Sequence, residues 1–148
     1  VVAELAAYYR SRGLTLADGI EEIYKEYGYY AEKTISVTLS GVDGAEQIKE
    51  IMAKFRNNAP KEWNATAITV VEDFKDQTAT AADGTVTNLT TPPSDVLKYT
   101  LADGSWIAVR PSGTEPKIKF YIAVVGESNE DSQAKITNIE AEINAFVK

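Results

Sequence analysis

The period of the hydrophobic positions changes several times along the chain, and each change predicts an element. Leu5, Tyr8 and Tyr9 follow Val1 and Val2 at helical spacing, with Gly13 as a fitting terminator. Thr15 stands three residues before Asp18, as in a capping box, and Ile20, Ile23, Tyr24 and Tyr27 then share one face up to Gly28. From there the period drops to two. Within Thr34 to Leu39, Ile35, Val37 and Leu39 alternate with hydroxyl side chains, the mark of a half-buried strand. Gly41 to Gly44 reads as a turn. Ala45, Ile48, Ile51, Met52 and Phe55 form an apolar stripe of helical period, ended by Asn57-Asn58-Ala59-Pro60. Ile68 to Phe74 reads as a second strand.

Thr78 to Pro93 breaks the pattern with six threonines, two prolines and an Asp83-Gly84 turn, which predicts a surface excursion with at most a short hairpin. Leu97, Tyr99 and Leu101 alternate, Asp103-Gly104 turns, and Trp106 to Arg110 returns, a strong hairpin signal. Ile118, Phe120, Ile122 and Val124 make a last strand. Ser128, three before Asp131, caps a final helix whose Ile136, Ile139, Ile143, Phe146 and Val147 face inward. The sum is an α+β domain: a mainly antiparallel sheet of four or five strands with two helices on one face, preceded by two helices. The first 28 residues cannot bury an independent core.

Composition narrows the function classes. The 148 residues suit one domain with an appendage, and 44% hydrophobic with 25% charged residues describes a globular rather than a disordered chain. No apolar run reaches membrane-spanning length, and the first residues lack a secretory pattern, so a cytoplasmic protein is expected. A helical pattern that starts at once, without an initiator methionine, suggests a chain cut from a longer one. Neither cysteine nor histidine occurs. That excludes disulfides, thiol nucleophiles, cysteine zinc sites and histidine acid–base chemistry. A formal charge of −7 with scattered lysines argues against a nucleic-acid partner.

One stretch carries chemistry. Arg110-Pro111-Ser112-Gly113-Thr114-Glu115-Pro116-Lys117-Ile118-Lys119 brings together a guanidinium, two hydroxyls, a glycine and two lysines between strands. Arg110 can give two parallel charge-assisted bonds to phosphoryl oxygens, and Ser112 and Thr114 can each donate a hydroxyl proton. Gly113 could adopt positive φ and turn successive N–H groups toward one anion. Lys119 alternates with Ile118 and Phe120 and so projects to the solvent side of the sheet, a candidate second cation. Lys117 reads as a solubilising lysine and Glu115 as a loop-stabilising or solvent-side residue. Pro111 and Pro116 would stiffen the loop.

These ten residues, continued by Phe120-Tyr121-Ile122 and preceded by Ser94 to Tyr99 and Asp103 to Val109, resemble the C-terminal signature of the α-D-phosphohexomutases. More loosely, Tyr27-Gly28-Tyr29-Tyr30 and Ser36-Val37-Thr38-Leu39 extend the likeness to nearly the whole chain. The resemblance implies residues 1–28 as the helical tail of a preceding domain and 29–148 as a C-terminal domain shaped like half of the TATA-binding-protein saddle. It implies a parent enzyme, of phosphoglucomutase/phosphomannomutase type, that interconverts hexose 1-phosphate and 6-phosphate. That parent would use a phosphoserine and Mg²⁺ held elsewhere, with no metal and no catalytic residue in this chain. Here the implied role is to grip the phosphate that is not reacting, through Arg110, Ser112, Gly113, Thr114 and Lys119, with a phosphosugar and the enzyme's other domains as partners. Phosphoglucosamine mutase shares the Arg-Pro-Ser-Gly-Thr-Glu-Pro run, and a stand-alone anion-binding module remains open.

Other candidates are weaker. Glu72-Asp73 with Asp76 lacks the spacing of a cation loop and reads as a solvated strand end. Trp63 and the tyrosines read as packing or interface aromatics. Asn64-Ala65-Thr66 and Asn88-Leu89-Thr90 match the glycosylation sequon by chance in a threonine-rich chain.

Overall fold

The computed structural model describes residues 1–39 and 43–148, so the first part of the predicted Gly41–Gly44 turn lies outside the described residues. Helices α1 (Val2–Ser11) and α2 (Leu16–Tyr27) come first. Thr15 caps α2 with the anticipated box, its side chain accepting from the Asp18 amide while the Asp18 carboxylate accepts from the Thr15 amide. Gly28 ends α2 at φ 101°, a conformation that favours glycine. The two helices meet where Tyr9 lies directly over Gly19, so any larger residue at 19 would displace the ring. Arg12 clamps them with two bonds of 3.0 Å to Glu22. Leu5, Tyr8, Ile20, Ile23 and Tyr27 nevertheless stay exposed, as expected of a pair too small to enclose a core.

The rest is a sheet with two helices packed on one face. Strands β1 (Tyr29–Thr38), β2 (Glu62–Trp63), β3 (Thr66–Asp73), β4 (Thr78–Ala81), β5 (Val86–Asn88), β6 (Leu97–Leu101), β7 (Trp106–Pro111) and β8 (Lys117–Gly126) pair antiparallel throughout. Their order is β1-β8-β7-β6-β3-β4-β5, with β2 attached to β3. Helices α3 (Gly44–Asn58) and α4 (Asn129–Val147) cover one face. The α+β class holds, and the sheet is larger than four or five strands because three short ones join it. The Thr78–Pro93 excursion folds into the β4–β5 hairpin, its turn held by Gly84 at φ 87° and by the Asp83 carboxylate accepting from the Thr85 amide at 2.8 Å. Asn64 and Ala65, both at positive φ, make an unforeseen two-residue turn from β2 to β3.

β1 begins five residues earlier than the alternation suggests. Pairing with β8 runs from Tyr29↔Gly126 to Thr38↔Lys117, and Lys33 occupies a position of helix-facing parity. Its ammonium reaches Glu140 on α4 at 2.5 Å, so a charge stands where an apolar residue would have revealed the strand. The remaining inward positions of β6, β7 and β8 are Leu97, Tyr99, Leu101, Ile107, Val109, Ile118, Phe120, Ile122 and Val124, all buried. Phe55 of α3 sits at the centre, its ring 4.7 Å from Phe146, 5.5 Å from Phe120 and 6.3 Å from Trp63. The Tyr99 hydroxyl donates to the Phe55 carbonyl at 3.0 Å, joining α3 to β6 inside the core. Among the described residues no helix is long and apolar enough to cross a membrane.

Because Phe55 is fully buried in this aromatic cluster, Phe55→Ala should cost about 3–5 kcal/mol. Tyr99→Phe, which strands only the Phe55 carbonyl, should cost about 1–2 kcal/mol. Urea unfolding monitored by far-ultraviolet circular dichroism would check both, and equal losses would contradict the central placement of Phe55.

Candidate functional site

The register of β7 against β8 builds the site. Arg110 pairs with Lys119 and Pro111 with Ile118, so both cations fall on the helix-free side while Val109, Ile118 and Phe120 anchor the same strands in the core. Beyond Pro111 the loop closes on itself: the Ser112 amide donates to the Lys117 carbonyl at 2.8 Å, and the Lys117 amide to the Glu115 carbonyl at 2.7 Å. The Leu39 amide donates to the Pro116 carbonyl at 2.9 Å, tying the loop to the end of β1. Gly44 completes this junction. A Cβ there would run into the Leu39 carbonyl and lie 3.1 Å from the Pro116 side chain, so a residue without one lets α3 start against the loop.

A cleft of about 740 Å³ opens between this loop, the first half of α3 and the Ser94–Val96 segment that leads into β6. Arg110, Ser112, Gly113 and Thr114 all line it, with Gly113 and Thr114 exposed at its rim. Lys119 does not line the cleft. It lies half-buried on the open face, beside Arg110 on one flank and Ser36 on the other. Four predicted residues are therefore brought together, and the fifth stands next to them.

Two details differ from the expected anion nest. Gly113 is not in the left-handed region, and open space surrounds the position of a Cβ there. The bend is instead made by Ser112, whose hydroxyl oxygen accepts from the amides of Thr114 at 3.4 Å and Glu115 at 3.3 Å. This is a serine turn, and it removes the need for positive φ. Glu115 is loop-stabilising as anticipated: the Lys117 ammonium donates to its carboxylate at 3.1 Å, which gives this cleft-lining carboxylate a cation within its own loop. Lys117 is thus a loop partner rather than a plain solubilising lysine.

Charge pairing singles out one residue. Lys49 in the cleft wall is bridged to Glu46 at 3.2 Å, Asp95 to Arg56 at 2.9 Å and Glu115 to Lys117 at 3.1 Å. Among the described residues, Arg110 is the cation lining the cleft that has no carboxylate partner. A cleft-lining arginine without a carboxylate partner among the described residues, with two hydroxyl-bearing residues in the same lining, is suited to an oxyanion.

The Arg56 fork went unrecognised in the sequence. Its Nε donates to Asp73 Oδ2 at 2.6 Å and its Nη2 to Asp95 Oδ1 at 2.9 Å. Asp73 is therefore not a solvated strand end: it is buried, and its Oδ1 also accepts from the amides of Lys75 at 3.0 Å and Asp76 at 3.4 Å. Burial pushes its carboxyl up, but the Arg56 bonds and these two amides outweigh it and hold the group below the usual carboxylate range. Burial likewise opposes the Arg56 charge, and the bonds to Asp73 and Asp95 overcome it, raising that group. The three residues lie 17 to 39 positions apart, too far for local spacing to reveal. Glu72 pairs with Lys98 at 3.0 Å, and Trp63 is packed against Phe55, as its reading as a packing aromatic required. Among the described residues, no group of three or more acidic side chains is gathered as a metal site would need.

Comparison with known proteins bears on this loop directly. A family model described as the phosphoglucomutase/phosphomannomutase C-terminal domain matches residues 42–145, which include the whole cleft. The phosphoglucomutase of Staphylococcus aureus strain bovine RF122 / ET3-1 is 35% identical over 137 residues, which is 92% of this chain and 25% of that protein. The phosphoglucomutase of strain USA300 matches to the same extent. The chain thus spans about a quarter of the length of these relatives. Among solved structures, the open form of the Paramecium phosphoprotein pp63/parafusin, a phosphoglucomutase, is 17% identical over 90% of this chain and 22% of its own, with a TM-score of 0.48.

The depressed Asp73 carboxyl gives a pH signature. Its contribution is fully present above the unfolded value of about 3.9 and is lost as pH falls through the lower folded value. Asp73→Asn should cost about 1–3 kcal/mol at neutral pH, and the gap to wild type should close below pH about 4. Urea midpoints measured from pH 7 to 3 would check this; a gap independent of pH would contradict it.

Proposed function

The chain belongs to the phosphoglucomutase/phosphomannomutase C-terminal domain family, and from that premise we propose that it is the phosphate-gripping domain of a larger enzyme that interconverts hexose 1-phosphate and hexose 6-phosphate. The observation that carries the reading is that Arg110, without a carboxylate partner among the described residues, lines one open cleft with Ser112, Gly113 and Thr114. Arg110 would take two phosphoryl oxygens side by side, and the two hydroxyls would complete the shell. Lys119, adjacent across the β7–β8 pair, would add longer-range attraction without direct contact in this conformation.

Binding would exchange bonds within the loop. The Thr114 and Glu115 amides now point at the Ser112 hydroxyl over 3.3 to 3.4 Å, long and weak contacts that an anion could replace. Rotation of the Ser112 hydroxyl toward the phosphate would free both amides for the same ligand. In the parent enzyme, the phosphate held here would be the one not being transferred. A bisphosphorylated intermediate would then turn over and offer its other end to the same clamp. Phosphoryl transfer depends on positioning and electrostatics, so a fixed distal phosphate contributes to rate as well as to affinity. The chemistry itself, with Mg²⁺ and a phosphoserine, would belong to other domains, and residues 1–28 would be the tail of the domain before this one. The exposed apolar residues of α1 and α2 support that boundary.

Amide chemical-shift titration with inorganic phosphate or glucose 1-phosphate tests the clamp. Shifts should concentrate at Ser112, Gly113 and Thr114, and Arg110→Ala should weaken binding roughly tenfold or more, the worth of one charge-assisted bond. Small uniform shifts would leave the loop as a turn. In a mutase assay the 148-residue chain alone should show no turnover; any turnover would overthrow the division of labour between domains.

A further inference from the structure

The wall of the cleft facing the loop carries a carboxylate, Asp95, which an anion site should not tolerate. We infer that Arg56, a residue outside the cleft lining, positions the Ser94–Val96 wall and neutralises Asp95 so that a phosphate can enter. This rests on the phosphate reading above and extends it to a residue that touches no ligand.

The geometry is that of a fork with one fixed and one working arm. The fixed arm is Asp73, buried at the end of β3 and pinned by the amides of Lys75 and Asp76. Arg56 grips it at 2.6 Å from the last turn of α3. The adjacent Phe55 carbonyl is itself tied to the Tyr99 hydroxyl, so the base of the fork is held on both sides. The working arm, Nη2, reaches Asp95 at 2.9 Å. Backbone bonds complete the attachment. The Phe74 amide donates to the Val96 carbonyl at 3.0 Å, and the Ser94 amide to the Phe74 carbonyl at 3.1 Å. The segment lining the cleft is thus latched to the end of β3 by its main chain and to Arg56 by its one charged side chain.

Electrostatics supplies the second half of the argument. The chain carries a net charge of −7, and screening over about 8 Å makes distant carboxylates unimportant to a ligand in the cleft. Carboxylates on the cleft wall are a different matter, and there are two, Asp95 and Glu115. Glu115 is met by Lys117 within its own loop, and Asp95 only by Arg56, from across the fold. Removing Arg56 would release a full negative charge beside the phosphate and free the wall that bears it. Arg56 is therefore a positioning residue.

The test uses the 148-residue chain, inorganic phosphate as the probe, and amide shifts as the readout. In Arg56→Gln, the Ser94, Asp95 and Val96 amides should move before any ligand is added. The phosphate dissociation constant should rise about fivefold at low salt, the effect of one charge on a dianion roughly 8 Å away through water. That gap should shrink at about 0.5 M salt. Adding Asp95→Asn to Arg56→Gln should bring affinity back to within about twofold of wild type. A double variant as weak as Arg56→Gln, or an Arg56→Gln that binds like wild type, would overturn the inference while leaving the clamp intact. Should Arg56→Gln fail to fold, Asp95→Asn alone decides. It should disturb the Ser94 and Val96 amides without loss of phosphate affinity, and a severalfold loss would overturn the neutralising role. If wild type itself shows no localised shifts at Ser112 to Thr114, the clamp reading falls first and takes this inference with it.

Discussion

Strand β8 is paired on both flanks over its central six residues, and the placement of every other feature follows from its register. Ten residues from Lys117 to Gly126 pair with β1 on one side, and six of them, Ile118 to Ala123, with β7 on the other. Ile118, Phe120, Ile122 and Val124 point at the helices and are buried almost completely. Each such side chain contributes about 1.5–3 kcal/mol on burial. A slip of one residue would turn all four outward and drive Lys119 into the core. The apolar alternation therefore fixes where Arg110 and the loop emerge, although none of these four β8 side chains lines the cleft. Site geometry here is a by-product of core packing.

On the proposed phosphate reading, an acidic chain would gain an anion site through local pairing rather than overall charge. Around the cleft, each carboxylate has a cation of its own, at 2.9 Å for Asp95 and 3.1 Å for Glu115. Lys49 is occupied by Glu46 in the same helix. What remains is Arg110, which has no carboxylate partner among the described residues and whose guanidinium has the donor geometry that a tetrahedral dianion prefers. Most of these pairs are exposed and add little to stability. Their effect lies in which charges they leave uncompensated.

The fold was largely legible because its core strands carry a clean period of two and its last two helices a clean apolar stripe. Leu97, Tyr99 and Leu101, and again Ile118 to Val124, announced both their strands and their inward faces. Legibility failed wherever tertiary context replaced an apolar residue. Lys33 hid the first half of β1 because a salt bridge to Glu140 satisfies it in place of burial. The β4–β5 hairpin was blurred by its threonines, whose hydroxyls suit both loops and strand surfaces. In the candidate site, the ten-residue run located the loop, and four of its five named residues line one cleft. The bend itself was misassigned to Gly113, since a serine hydroxyl does the work that a positive φ would have done. The opposite wall was invisible because Arg56, Asp73 and Asp95 meet only after α3 and β3 have docked.

If the loop grips phosphate as proposed, the serine turn also bears on how it would serve two ligands that differ in which end carries phosphate. A nest built from strained backbone would be rigid and would fit one anion position closely. Here the loop reaches its shape without strain at Gly113, and its two inward amides are held by a rotatable hydroxyl at distances near the limit of hydrogen bonding. Such bonds cost little to exchange, so on that reading small displacements of a phosphate would be followed by rotation of one side chain. The fixed element is Arg110, set by the β7–β8 register, and the adaptable element is Ser112. A clamp with one rigid donor pair and one adjustable shell tolerates a change of sugar orientation better than a wholly rigid cage, because only the rigid pair has to be satisfied identically each time.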